Sequence, residues 1–138
     1  MKALSITQPW ATLIAIGAKG IETRSWSTDY RGELAVHAAK GFPRYARETL
    51  FEEVFRVLLE AAGYQTAADL PLGCVVATCN LVRVHRIQPG TDVPCAERPF
   101  GNYAIGRYMW VIENVVALPE PVPAKGALGL WKWEGGAR

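Results

Sequence analysis

A chain of 138 residues, half of them apolar, a fifth charged and five of them tryptophan, is long enough to bury its own core and too aromatic for a disordered segment. Its 15 basic and 13 acidic side chains leave a formal charge of +2, which excludes a protein that coats nucleic acid by bulk charge and makes any such contact local. Cys74, Cys79 and Cys95 form an odd set with no CxxC or Cys/His spacing, which argues against a disulfide framework or a zinc site and for a reducing compartment. Gln8 and Pro9 interrupt any hydrophobic leader, and no apolar run approaches the roughly 18 residues of a membrane span. These readings predict one cytoplasmic domain over residues 1–138, with no metal, no cofactor and no membrane partner.

In chain order, Met1 to Thr7 reads as a short strand. Thr7 is then the expected N-cap of a helix with Pro9 in its first turn, where the missing N–H costs nothing. Trp10, Leu13, Ile14 and Gly17 recur at helical spacing, and Gly17 or Gly20 supplies the left-handed residue that ends the helix. From Ile21 the period shifts toward two, so Glu22, Arg24 and Trp26 project from one face of an extended segment and Ile21, Thr23 and Ser25 from the other. Asp29 and Gly32 flank a turn, and GELAVHA alternates as a strand with Leu34, Val36 and Ala38 on the core side and His37 opposite, half exposed.

Pro43 opens the longest predicted helix, with an apolar stripe of Leu50, Phe51, Val54, Leu58 and Ala62 that ends at Gly63. Arg44 with Glu48, and Glu52 with Arg56, stand four apart as expected on its solvated face. The run CVVATCNLVRVHRI predicts one bent strand or two pieces. Arg83, His85 and Arg86 near its end suit a solvated strand face. The following QPGTDVPCAERPFGN, with three prolines and two glycines, has the length of a lid or a functional insertion. A strand RYMWVIENVVAL follows. The alternate prolines of PEPVPAK exclude helix, and a last short strand is expected around Leu130 to Trp133. The order predicts an α+β fold, a mixed and mostly antiparallel β-barrel with flanking helices.

The segment GAKGIETR, Gly17 to Arg24, resembles the GxKxxExR signature of the ASCH (activating signal cointegrator homology) family, and QPWA, SWSTDYRG and GLW strengthen the likeness. The resemblance covers nearly the whole chain, most weakly the helix over 48–70 and the proline-rich lid. It implies a PUA-like barrel with a cleft between barrel and helices where the signature residues gather. It also implies RNA or other nucleic acid as ligand, or a modified nucleoside. Some small members are similar to ribonucleases or to an amidohydrolase of N4-acylated cytidine, in which the signature lysine, a threonine three residues later and a distant glutamate act. Here Glu22 replaces that threonine, and no later glutamate matches with assurance.

The residue types support a binding cleft on their own. Lys19 is a mobile point charge, Arg24 a planar fork, Trp26 a stacking face, and Glu22 an acceptor for a base amino group or a partner that orients Arg24. Arg31 is a second candidate phosphate contact, and Thr28, Tyr30, His37 and Lys40 are candidates for the rim. In the catalytic alternative, a hydrolase of RNA or acylated cytidine, Lys19 activates water or attacks while Glu22 shuttles a proton. A third alternative makes the domain a protein-interaction module of transcription or translation, with Pro89 to Pro99 as contact surface. Against all three stands the plain reading of Glu22 and Arg24 as strand residues paired for stability. Trp10, Trp110, Trp131 and Trp133 are expected in the core.

Overall fold

The computed structural model describes residues 1–135. Its elements are β1 (Lys2–Ile6), α1 (Trp10–Ala15), β2 (Ile21–Arg24), β3 (Gly32–Ala38), α2 (Arg44–Glu48), α3 (Glu53–Ala61), β4 (Cys74–Arg86), β5 (Tyr108–Pro123) and β6 (Leu130–Lys132), with 3-10 turns at Thr49–Phe51, Ala67–Asp69 and Cys95–Phe100. The strands form one six-stranded sheet of order β2-β5-β4-β3-β1-β6. Only β1 and β3 pair in parallel, Ser5 opposite His37, and the remaining neighbours are antiparallel. The result is the mixed, mostly antiparallel, barrel-like α+β architecture expected from the element order.

Alternation along β1 and β3 buries both faces of the middle of the sheet. Leu4, Ile6, Leu34, Val36 and Ala38 pack with Ile14 and Trp110 on one side, and Ala3, Ala35, Val75 and Trp133 pack on the other. Helix α1 divides its apolar residues: Ala11 and Ile14 lie on the sheet, while Leu13 meets Phe55, Leu59, Leu70 and Phe100 of the helical layer. Burying a side chain such as Leu13 contributes about 2 kcal/mol, so this short helix is held by packing on two sides rather than by propensity.

Several expectations change. Thr7 does not cap α1; Pro9 occupies the N-cap position. The orphan amide of Thr12 is instead satisfied by the Gln8 side-chain oxygen at 3.0 Å, while the Gln8 amide donates to Thr12 Oγ1 and to Pro71 O at 2.7 and 2.9 Å. Gly17, at φ +83°, ends the helix in the left-handed conformation. The long helix breaks at Glu52, which is extended at ψ 134°. The break shifts the phase of the apolar stripe, so Phe55 and Leu59 face inward while Phe51 is 84% exposed. It also removes the Glu52–Arg56 pair: Arg44–Glu48 forms at 3.3 Å, but Arg56 turns to Glu60 at 3.5 Å.

The proline-rich tail belongs to the sheet, because β5 runs on through Pro119, Pro121 and Pro123. In this half β5 pairs with β4 alone, β2 reaching only Tyr108 to Val111. Pro119 and Pro121 fall where the β4–β5 register shifts, between the pairs Ala77–Ala117 and Val75–Val122, so their missing N–H groups take no paired place in the ladder. The cysteines are free, as expected; Cys74 and Cys79 are buried, and burial pushes the Cys79 thiol up to about 12. No helix of the described residues is long and apolar enough to cross a membrane.

Candidate ligand-binding site

The turn at Gly17 sets the position of Lys19. Ala18 and Lys19 both donate their amides to Leu13 O, at 2.9 and 3.1 Å, which folds the chain back under α1 before β2 starts. The Lys19 side chain is thereby carried inward and is 1% exposed. A buried ammonium demands acceptors. It finds the Ile21 carbonyl and, at 3.1 Å, Glu22 Oε1.

The second oxygen of Glu22 accepts from Arg24 Nε at 2.9 Å, and Arg24 Nη2 donates to Ser5 O at 2.8 Å. Lys19, Glu22, Arg24 and the end of β1 thus form one chain of charge-assisted bonds, in which a single carboxylate holds two cations. The period-two expectation for β2 holds for Ile21, which packs with Ile87, Val93 and Met109 while Glu22 and Arg24 line a cavity, but Thr23 and Ser25, expected on the Ile21 face, line that cavity too.

Glu22, Arg24 and Trp26 line a cavity of about 600 Å³ between β2, the start of α1, α2 and the segment after β4. Lys19 lies behind this wall and is absent from the lining. Trp10 and Tyr45 add two further rings, 6.2 Å apart and tilted by 33°, and Tyr45 is 65% exposed. Trp26 stands edge-on to the buried Trp110 at 4.8 Å, and its carbonyl accepts from Trp110 Nε1 at 3.2 Å, so its ring is held in place. Thr49, Asn102 and Arg107 supply polar groups, and Ser5 forms part of the floor.

The expected lid is tied down on β2. Glu97 accepts from the amides of Gly20 and Ile21 through its two oxygens, at 3.0 and 3.2 Å. Asn102 N donates to Thr23 Oγ1 at 3.1 Å, and Arg107 donates to Asn102 O at 3.1 Å and to Thr23 O at 3.4 Å. The Glu97 carboxylate is therefore spent on backbone amides. Behind this clasp the buried Tyr103 hydroxyl makes no hydrogen bond among the described residues, and burial, then the charges of Glu97 and Glu22, raise it above its ordinary value.

The other candidates lie elsewhere. Arg31 is exposed, its Nη1 bound to the carbonyls of Thr28 and Tyr30 at 2.8 Å. Thr28 Oγ1 accepts from Tyr30 N at 3.1 Å, and the Tyr30 hydroxyl donates to Glu33 O, so these three residues brace their own turn. His37 is not half exposed but buried, 2% accessible, because Trp131 stands edge-on to it at 5.2 Å and Ala124 accepts from its ring. His37 and Lys40 line a second cavity rather than the first. His85 with Arg83 and Arg86 is exposed, as expected of a solvated face. No group of three or more metal-ligating side chains gathers among the described residues.

Composition and periodicity missed Trp10, which read as core from its helical spacing, and they missed Tyr45, Thr49, Asn102 and Arg107. For Trp10 a signal exists, since the first turn of a six-residue helix has an open end. For Asn102 and Arg107 there is none, because only the fold of the long segment brings them to β2.

The ASCH domain family matches residues 4–121. Activating signal cointegrator 1 of Homo sapiens and that of Mus musculus are each 34% identical over 130 residues, which is 94% of this chain and 22% of the relative. The chain thus spans about a fifth of the length of these curated relatives. With the signature residues gathered beside one cavity in a PUA-like fold, the chain belongs to the ASCH family.

Proposed function

We propose that this domain binds single-stranded nucleic acid, or a nucleotide-like ligand, with a base seated in the cavity between β2 and α1. The observation that carries this reading is the convergence of Trp10, Trp26 and Tyr45 with Arg24 and Arg107 in one space of about 600 Å³. Aromatic faces take any base by stacking, worth about 1–3 kcal/mol per base. A guanidinium with donors to spare meets a phosphate or a base edge bidentately. Arg24 uses Nε and Nη2 within the protein, which leaves Nη1 as its spare donor group, and Glu22 holds that fork at a fixed angle. Lys19 is a positioning residue in this reading: it neutralises Glu22 from behind and does not touch the ligand.

Fluorescence anisotropy with a labelled, mixed-sequence RNA hexamer tests the proposal. Affinity falls as salt rises, with a logarithmic slope of about −0.7 for each phosphate neutralised. Tyr45→Ala, a change at an exposed residue, weakens binding by about 5- to 150-fold, the worth of one stacked base. Binding indifferent to salt and to the removal of the Tyr45 ring overturns it.

A further inference from the structure

The second cavity lies on the far side of Ser5 and has a volume of about 690 Å³. Its walls are Ser5, His37, the 39–40 and 72–73 turns and the 124–127 loop, and no acidic residue is among them. Two lysines from separate loops open on it, Lys40 and Lys125, and neither forms an ion pair among the described residues.

The walls are fixed rather than loose. Ala124 accepts from His37 Nε2 at 2.7 Å and donates its own amide to Gly73 O at 3.0 Å. Gly126 rests directly on Ser5 and the buried His37: a Cβ there would stand 2.6 Å from Ser5 Oγ and 2.7 Å from His37 Cε1. Lys125 is thus held between two anchored neighbours. Lys40 follows Ala39, whose amide donates to Ile6 O at 2.9 Å.

The Ala124 carbonyl only accepts, so Nε2 of His37 carries a proton, and in the neutral ring Nδ1 accepts from the Ser5 hydroxyl at 2.9 Å. Trp131 Nε1 donates to the same hydroxyl at 3.1 Å. Serine and histidine are therefore satisfied internally and serve as the wall. The two lysine ammonium groups are left to face whatever enters.

Ser5 lines both cavities. Its carbonyl is bound by Arg24 on one side, and its hydroxyl by His37 on the other. A space with aromatic rings and a space bordered by lysines that form no ion pair among the described residues therefore share Ser5 as a common wall, an adjacency that suits a base and a backbone phosphate of one strand. From this adjacency we infer that the second cavity is a phosphate subsite, that Lys40 and Lys125 grip the backbone of the strand whose base occupies the first, and that the ligand is a phosphodiester strand rather than a free nucleoside. The inference rests on the base-binding reading of the first cavity.

The test pairs the double variant Lys40→Ala/Lys125→Ala with a control that removes the same charge elsewhere, Arg83→Ala/Arg86→Ala on the exposed end of β4. The probes are the labelled RNA hexamer and, by ligand-observed NMR, the four common nucleosides. The lysine variant is expected to bind the hexamer about 10- to 100-fold more weakly and to flatten the salt slope by about 0.7 for each phosphate that is no longer neutralised. The arginine control is expected to stay within about twofold, and nucleoside signals to match those of the wild type. Hexamer binding that is weakened by Tyr45→Ala but untouched by the lysine pair overturns the phosphate subsite and leaves the base site standing. Equal weakening in the lysine variant and the arginine control also overturns it, since that pattern reports general charge. A wild-type protein that binds neither hexamer nor nucleoside overturns both readings.

Discussion

The two sides of Ser5 carry the same kinds of cation and end in opposite electrostatic states. On the β2 side Lys19 and Arg24 share the Glu22 carboxylate, and the lysine is sealed in at 1% exposed. On the loop side Lys40 and Lys125 border a cavity with no carboxylate in its lining. The contrast separates two meanings of a positive residue near a cleft. Where burial is complete, the charge must be spent inside the fold, and it shapes the site from behind. Where water still reaches it, as at Lys40 and Lys125, the charge is solvated and needs no partner inside the fold.

The comparison breaks most visibly at Glu22. Glu22→Gln keeps the shape of the side chain and removes the charge that both cations share. The single amide oxygen of glutamine can accept from Lys19 or from Arg24 but not from both, its NH2 faces the other cation, and the buried ammonium loses its counter-charge, which costs about 3–5 kcal/mol. For a domain of this size that lowers the melting temperature by on the order of 10 °C. Calorimetry showing an unchanged midpoint would mean that the ammonium is solvated and the β2 wall is open after all.

A smaller effect is expected at Glu97, whose two oxygens accept from the amides of Gly20 and Ile21. Glu97→Gln retains one acceptor and loses the charge, and bonds to a charged group are worth about 1.5–3 kcal/mol, so a loss of about 1–2 kcal/mol is expected. Hydrogen exchange sharpens the result. The Gly20 and Ile21 amides are expected to exchange faster, while those of β1 and β3 keep their protection. Uniform acceleration across the sheet would show that the clasp supports the whole domain rather than the wall of one cavity.

How far the sequence discloses this contrast follows from the kind of signal each part leaves. The strands of the sheet are written in period two, and Ile21 against Glu22 and Arg24 sorts correctly into core and cavity faces. The short helix is legible from Pro9 and Gly17. The depth of Lys19 is not, because it depends on the chain folding back onto Leu13 O after the helix, a tertiary event with no local pattern. His37 is misjudged for a similar reason: alternation places it opposite Leu34 and Val36, but only the returning 124–131 segment decides that this face is covered too. The second cavity is likewise built from three stretches far apart in the chain, which no periodicity joins.

The smallest expected effect tests the signature lysine itself. Lys19→Met fills the same buried space without a charge, and Glu22 keeps Arg24 Nε at 2.9 Å, so Arg24 retains its orientation and its bond to Ser5 O. Stability is expected to change by about 1 kcal/mol, the net worth of an ordinary hydrogen bond. Affinity for the RNA hexamer should stay within about twofold, because the amine does not reach the cavity. The hydrolytic alternative forecasts the reverse: if Lys19 acts on the substrate, the wild type turns over short RNA or N4-acylated cytidine and the methionine variant does not, while both melt together. Parallel melting, binding and product assays on the two proteins therefore assign the amine to one side of the wall, since a buried counter-charge and a catalytic base cannot leave the same pattern of losses.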